Sequence, residues 1–135
     1  MIKILYDSLT KKYFQFSGRA SRKEYWGIYL LVSLACYIVF FIIKNHHFLG
    51  LKIVYLSVII LFFIGIPSIF VSIRRLHDFN FNGWWFLIIS LFDIWTNDFF
   101  NNITGGFIIA NIPHFILGIV KGTPDANKYG EPPLN

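Results

Sequence analysis

The sequence predicts an all-α fold, a polytopic transmembrane helical bundle of about four membrane helices preceded by an N-terminal amphipathic interfacial helix. Hydrophobic residues make up 56% of the 135-residue chain and aromatic residues 20%, whereas charged residues make up 14%. One small soluble core cannot bury that much apolar surface. Long apolar runs cover residues 25–43, 53–73 and 103–120, and a shorter run begins at Trp84. These observations predict one integral membrane domain over residues 1–135.

Residues 1–17 are predicted to form an amphipathic helix that lies on the inner leaflet. Apolar side chains recur there at three- and four-residue spacing, and polar side chains occupy the other faces. A surface helix packed against protein is the alternative. The apolar set comprises Ile2, Leu5, Tyr6, Leu9, Tyr13 and Phe16.

Residues 22–43 are predicted to form the first membrane helix. Ser21 and Glu24 have the spacing of a capping box, so the helix is expected to begin at Arg22. The apolar run reaches about 28 Å, close to the roughly 30 Å hydrocarbon core. Because Arg22 and Lys23 lie at a helix N-terminus, where the helix dipole disfavours cations, an anion is expected nearby, and lipid phosphate is the simplest candidate.

Residues 53–78 are predicted to form the second membrane helix. Pro67 is expected to kink it, and the carbonyls that Pro67 frees are expected to bind neighbouring hydroxyls or helices. Near its end, Arg74 shares a face with His77 and Asp78, while Arg75 points about 100° away. The spacing therefore predicts that one arginine faces inward and the other faces lipid headgroups.

Residues 81–96 and 103–120 are predicted to form the third and fourth membrane helices. The run between Trp84 and Trp95 spans only about 18 Å, so it is either a short crossing helix, which we prefer, or a half-helix that turns back at Asp93. The polar turn at 96–102 is then external. Asn111 and His114 are expected to form interhelical hydrogen bonds, because polar groups in lipid need partners.

Orientation follows from the basic residues. Lysines and arginines are concentrated before the first apolar run, which predicts a cytoplasmic N-terminus. Four crossings return the tail, residues 121–135, to the cytoplasm. The basic residues ahead of that run are Lys3, Lys11, Lys12, Arg19, Arg22 and Lys23.

Three segments resemble the bacterial inner-membrane family known as domain of unknown function 805. They are FSGRASRKEYW at 16–26, RRLHD at 74–78 followed by GWW at 83–85, and GTPDANKYG at 122–130. The chain departs from the family pattern at Asp125, where glycine is usual, and in a longer stretch before the tail. The resemblance implies a small polytopic inner-membrane protein without an established activity. It also implies that a tail motif folds back over the basic face, with these residues: Gly122, Thr123, Asn127, Tyr129 and Gly130.

With four crossings, the three segments lie at one membrane face. One interpretation is an ionic clasp in which Glu24 and Asp78 pair with arginines of neighbouring helices. The other is a basic, aromatic-rimmed pocket for phosphate-bearing headgroups. The candidate residues are Arg19, Arg22, Lys23, Glu24, Arg74, Arg75, His77 and Asp78, with the interface aromatics Tyr25, Trp26, Trp84 and Trp85.

The predicted function is that of a non-enzymatic envelope component whose cytoplasmic face binds anionic phospholipid or a partner protein, either a second copy or another membrane protein. No catalytic dyad is expected, because His77 and Asp78 are helix neighbours and point apart. The adjacent His46 and His47 lack companion metal ligands, and no cofactor or nucleic-acid partner is expected. The alternatives are a small transporter, or a subunit of one, that uses Asn111 and His114, and a membrane-embedded enzyme.

Overall fold

The computed structural model describes residues 2–45, 47, 50–99 and 104–133, and within them the regular elements are α-helices. They are α1 (Ile2–Leu9), α2 (Arg22–Lys44), α3 (Leu51–Asp78), α4 (Trp85–Phe99) and α5 (Thr104–Ile119). These residues form two compact units. The first unit combines Lys23–Val71 with the described residues up to Gln15, and the second combines Phe16–Arg22 with the described residues from Ser72 onward.

Helices α2 and α3 are long and apolar enough to cross a bilayer. They have 23 and 28 residues, or about 34 and 42 Å of helix. Only 11% of the most apolar stretch of α2 and 28% of that of α3 is buried. The core helix of a soluble protein, by contrast, is mostly buried. Conversely, Arg74 and Arg75 are each only 1% exposed. Exposed apolar and buried charged side chains indicate that lipid is the solvent of these helices.

Helix α1 is shorter than the sequence predicts. It ends at Leu9, and turns follow over residues 10–14, so the prediction of a helix through residue 17 was wrong in its second half. The Thr10 hydroxyl donates to the Tyr6 carbonyl at 2.6 Å, and the Lys12 amide donates to the Asp7 carbonyl at 2.9 Å. The Lys12 bond reaches five residues back rather than the four of an α-helix, so the chain has left the helical path at this point.

One side of α1 packs against α2. The absence of a side chain at Gly27 allows Leu5 to approach, since a Cβ there would lie 2.7 Å from Leu5 Cδ2. The buried Ser8 hydroxyl donates to Glu24 Oε1 at 2.7 Å, and Lys12 Nζ lies 3.6 Å from Glu24 Oε2. The other side of α1 leaves Ile2 85% exposed. Helix α1 thus packs against protein, as the alternative of a surface helix predicted. Its position on the inner leaflet stays a prediction.

Pro67 lies inside α3 and provides no amide for the carbonyl four residues earlier. That carbonyl belongs to Phe63, and it accepts a 2.5 Å hydrogen bond from the hydroxyl of Tyr13. The expectation that a neighbouring hydroxyl would satisfy a freed carbonyl is confirmed. Tyr13, which the sequence analysis placed in the apolar set of the N-terminal helix, therefore also acts as a hydrogen-bond donor.

We expect Tyr13→Phe to lower the free energy of unfolding by about 1–2 kcal/mol, because it leaves the Phe63 carbonyl without this donor while preserving the ring. Denaturant titration of the purified protein in detergent micelles measures the change. Tyr37→Phe is the matched control, since Tyr37 is 68% exposed. Equal stabilities of the two variants would contradict the assigned role.

In the second unit, α4 and α5 pack against each other. Helix α4 continues through Asp93 to Phe99, so the alternative prediction of a half-helix that turns back at Asp93 was wrong. His114 Nε2 lies 2.9 Å from Asp93 Oδ2, which confirms the predicted interhelical hydrogen bond of His114. At 15 and 16 residues, α4 and α5 reach about 22 and 24 Å.

Both helices are thus shorter than the roughly 30 Å hydrocarbon core, and the count of four crossings stays a prediction. The predicted external turn at 96–102 and the predicted helix start at 103 fall partly on residues 100–103, outside the described residues. His46 also lies outside them.

Candidate anion-binding site

Asp78, the last residue of α3, is the centre of an ion cluster in the second unit. Its Oδ1 accepts from Arg19 Nε at 2.8 Å and lies 2.7 Å from Arg19 Nη2. Its Oδ2 pairs with Arg75 Nη1. The three side chains are almost fully buried. We name this cluster, Arg19, Arg75 and Asp78, the arginine clasp.

Arg19 joins the clasp to the C-terminal tail. Besides Asp78, its guanidinium donates to three main-chain carbonyls, those of Asp125 at 2.8 Å, Gly130 at 3.4 Å and Thr123. Every nitrogen of this guanidinium therefore has an acceptor. A planar fork of donors suits such a set of fixed carbonyls better than a single ammonium group would.

Arg75 joins the clasp to the end of α5. Its Nε donates to the Leu117 carbonyl at 2.7 Å and its Nη2 to the Val120 carbonyl at 2.5 Å, while its Nη1 lies 3.2 Å from the Ala20 carbonyl. The last carbonyls of a helix have no partner within it. Arg75 satisfies such carbonyls at the end of α5, where a positive charge also interacts favourably with the helix dipole.

The tail closes over the last turn of α3. The Asp78 carbonyl accepts from the Thr123 amide at 2.9 Å, and the His77 carbonyl accepts from Asn127 Nδ2 at 2.9 Å. The Tyr129 ring stacks on the His77 ring with centroids 3.8 Å apart. The fold-back of residues 122–130, with Tyr129 as its anchor, is therefore confirmed.

The charges of the clasp are close to balance. Two guanidiniums exceed one carboxylate by one positive charge. The C-termini of α3 and α5 each contribute roughly half a negative charge, and both meet the clasp. Its buried arginines thus have their hydrogen bonds and their counter-charges within the second unit, which makes the clasp a structural element.

Next to the clasp lies an open cavity of about 580 Å³, which we name the basic cleft. Its floor includes the clasp, and its rim carries Arg22 and Lys121, which are exposed. Asp78 is the only carboxylate among the described residues that line it, and its oxygens are taken by the clasp. Among the described lining residues, the rim cations therefore have no carboxylate opposite them. Ser21, Gly122, Thr123, Pro124, Pro132 and Pro133 complete the lining.

The structure corrects three sequence-based expectations. Arg75 does not face headgroups but is as buried as Arg74, because the carbonyls at the end of α5 draw it inward. Asp78 pairs with an arginine of its own helix and one from the segment before α2, rather than with neighbouring helices. Tyr25 is 2% exposed and stacks with Tyr29 at 5.9 Å, so it is a packing residue.

The remaining predicted residues are distributed around the two units. Lys23 is exposed on α2, whereas Glu24 is buried with Ser8 and Lys12 in the first unit. Trp84 and Trp85 are 71% and 47% exposed, as interface aromatics are, and Trp26 is half-buried. Asn111 lies on α5, half-buried. The described residues contain no group of three or more His, Cys, Asp or Glu placed to hold a metal ion.

Sequence reasoning missed Lys121 as a site residue, along with the carbonyl acceptors of both arginines. Lys121 directly follows the last apolar run, and a basic residue at that position could have indicated the rim. Main-chain carbonyls carry no residue-type information, so no pattern could have identified those of Leu117 and Val120.

The geometry gives no support to an acid–base pair of His77 and Asp78. His77 Nδ1 lies 3.2 Å from the Gly18 carbonyl, and its ring is covered by Tyr129. The Asp78 carboxylate contacts the two guanidiniums of the clasp. The two side chains are engaged with different partners.

Comparison with known proteins identifies relatives along almost the whole chain. The sequence profile of the family described as "Protein of unknown function (DUF805)" matches residues 13–131. Inner membrane protein YhaI of Escherichia coli (strain K12) is 34% identical over 128 residues, covering 95% of this chain and 93% of the relative. Inner membrane protein YhaH of the same strain is 30% identical over 132 residues, covering 95% and 94%. No solved structure matches the chain.

Proposed function

This chain belongs to the DUF805 family, and from that premise we propose that it is a non-enzymatic component of the bacterial inner membrane whose basic cleft binds the phosphate of an anionic phospholipid headgroup. Under this proposal the chain crosses the membrane four times with both termini in the cytoplasm. Basic residues before α2 and after α5 favour that orientation.

The observation that carries the proposal is the pair of cations at the rim of the basic cleft, since the only carboxylate in the part of the lining that the structure describes is held by the clasp. The guanidinium groups of the clasp already bind main-chain carbonyls and Asp78, so we assign them to the floor of the cleft and not to ligand binding. Arg22 and Lys121 are exposed above it. Arginine forks bind phosphate oxygens bidentately and lysine adds a point charge.

The membrane supplies a ligand of the matching charge. Anionic lipids attract each basic residue near the surface by about 1 kcal/mol, and two cations that converge on one phosphate localise that attraction. The same expectation follows from the cations at the start of α2, where an anion offsets their unfavourable interaction with the helix dipole.

The double variant Arg22→Gln/Lys121→Gln is expected to lower the affinity for phosphatidylglycerol by about tenfold or more, because it removes both rim charges while keeping polar side chains. The measurement is lipid retention by native mass spectrometry, after titration of the purified protein in neutral detergent.

The matched control is Lys44→Gln/Lys52→Gln, which removes two exposed lysines that do not line the cleft. Both variants lose the same net charge, so a general electrostatic effect would lower retention equally in both. Equal losses, or wild-type retention by the rim variant, would refute the headgroup site.

A further inference from the structure

We propose that the anion in the basic cleft is a diacyl phospholipid, one of whose acyl chains lies in an apolar groove beside the cleft. This inference rests on the proposed function and adds the chain-binding part of the same site. The groove has a volume of about 460 Å³ and is lined by apolar residues of the second unit. The lining includes Phe79, Trp85, Ile89, Leu117 and Val120.

Arg75 connects the groove to the cleft. Arg75 lines the cleft, and its guanidinium carbon lies 4.8 Å from the centroid of the Phe79 ring, which lines the groove. The same guanidinium donates to the carbonyls of Leu117 and Val120, which are themselves groove residues. The basic cleft and the apolar groove are therefore neighbours, with the Arg75 side chain between them.

The volume of the groove suits an acyl chain. If a methylene takes up about as much space as a water molecule in the liquid, roughly 30 Å³, then 460 Å³ holds about fifteen methylenes. That is the length of a common phospholipid chain. The exposed Trp85 at the wall of the groove is of the residue type enriched where headgroups meet acyl chains.

Charge selects a lipid over a second copy of this chain as the occupant. A partner that covers the groove must also place its polar end at the rim cations Arg22 and Lys121. The chain itself has a net charge of +5, so a second copy would on balance be repelled there. An anionic phospholipid can place its negative headgroup at the rim cations and its apolar chain in the groove.

The test compares two phosphatidylglycerols, one with palmitoyl and one with hexanoyl chains, by native mass spectrometry in neutral detergent. We expect Ile89→Trp, which fills the groove, to lower retention of the palmitoyl lipid by about tenfold and to leave retention of the hexanoyl lipid unchanged. Ile88→Trp is the matched control, because Ile88 is 53% exposed and does not line the groove.

Three results would overturn the inference. The first is equal palmitoyl retention by the Ile89 and Ile88 variants. The second is binding of glycerol phosphate as tight as that of the palmitoyl lipid, which would make the cleft a site for a soluble anion. The third is loss of a dimer in Ile89→Trp with lipid retention intact, which would assign the groove to a second copy. The rim variant separates the two proposals, since its failure removes the headgroup site whatever the groove holds.

Discussion

Replacing Asp78 by asparagine is expected to lower the free energy of unfolding by about 3–5 kcal/mol, the usual range when one partner of a buried ion pair is removed. Arg19 and Arg75 would keep their carbonyl partners but lose their shared carboxylate, and each of these side chains is only 1% exposed. Their positive charges would then be compensated by the helix C-termini alone. Denaturant titration in detergent micelles measures the loss.

Asp125→Asn provides the matched control. Asp125 is exposed and contributes its main-chain carbonyl to Arg19, a contact that the substitution retains. We expect this control to unfold at the wild-type denaturant concentration. If Asp78→Asn does not accumulate as folded protein, adding Arg19→Gln removes one of the unbalanced charges and should recover part of the yield. Wild-type stability of Asp78→Asn would disprove the clasp.

Gly122→Ala has the second largest expected effect. A Cβ at residue 122 would overlap the Asp78 carboxylate. Neither side can yield easily, because the Thr123 amide and hydroxyl hold the Asp78 carbonyl at 2.9 and 3.1 Å and the two arginines hold the carboxylate. Overpacking of this kind costs about 1–3 kcal/mol, and the rigid surroundings place this case at the upper end.

The result to measure is detachment of the tail. Hydrogen exchange of residues 122–130 should accelerate in Gly122→Ala together with a lower free energy of unfolding. Gly65→Ala is the control, and it is expected to raise the free energy of unfolding rather than lower it. Gly65 lies inside α3, and a Cβ added there would meet nothing within 4 Å, so alanine should stabilise the helix by about 0.5–1 kcal/mol. Destabilisation by both substitutions alike would count against the close approach.

The positions of the long helices were predictable because their cause is local. The apolar runs predicted helices at 22–43 and 53–78, and the structure has them at Arg22–Lys44 and Leu51–Asp78. A backbone in lipid must satisfy its hydrogen bonds within the segment, which leaves the helix as the form for such a run. Pro67 likewise frees a carbonyl wherever it occurs in a helix.

Side-chain direction near the ends of the helices was not predictable in the same way. Helical geometry alone placed Arg75 about 100° from Arg74, yet both are buried. A long side chain turns toward the acceptors around it, and besides Asp78 on the same helix Arg75 binds carbonyls of residues more than forty positions away. At the end of α1 the Lys12 amide bonds to the Asp7 carbonyl, five residues back, instead of continuing the helical pattern.

The residue types of the site were thus readable from the chain, because charge next to an apolar run and the motifs at 16–26, 74–78 and 122–130 are properties of sequence. Which of those charges form the clasp and which line the rim was decided by the packing of the segments against one another. Burial and main-chain acceptors occupy Arg19 and Arg75. Arg22 and Lys121 stay exposed, although Arg22 also donates to the Ile119 carbonyl at 3.3 Å. Such acceptors are the same in every residue, so only their arrangement in space determines which arginine they bind.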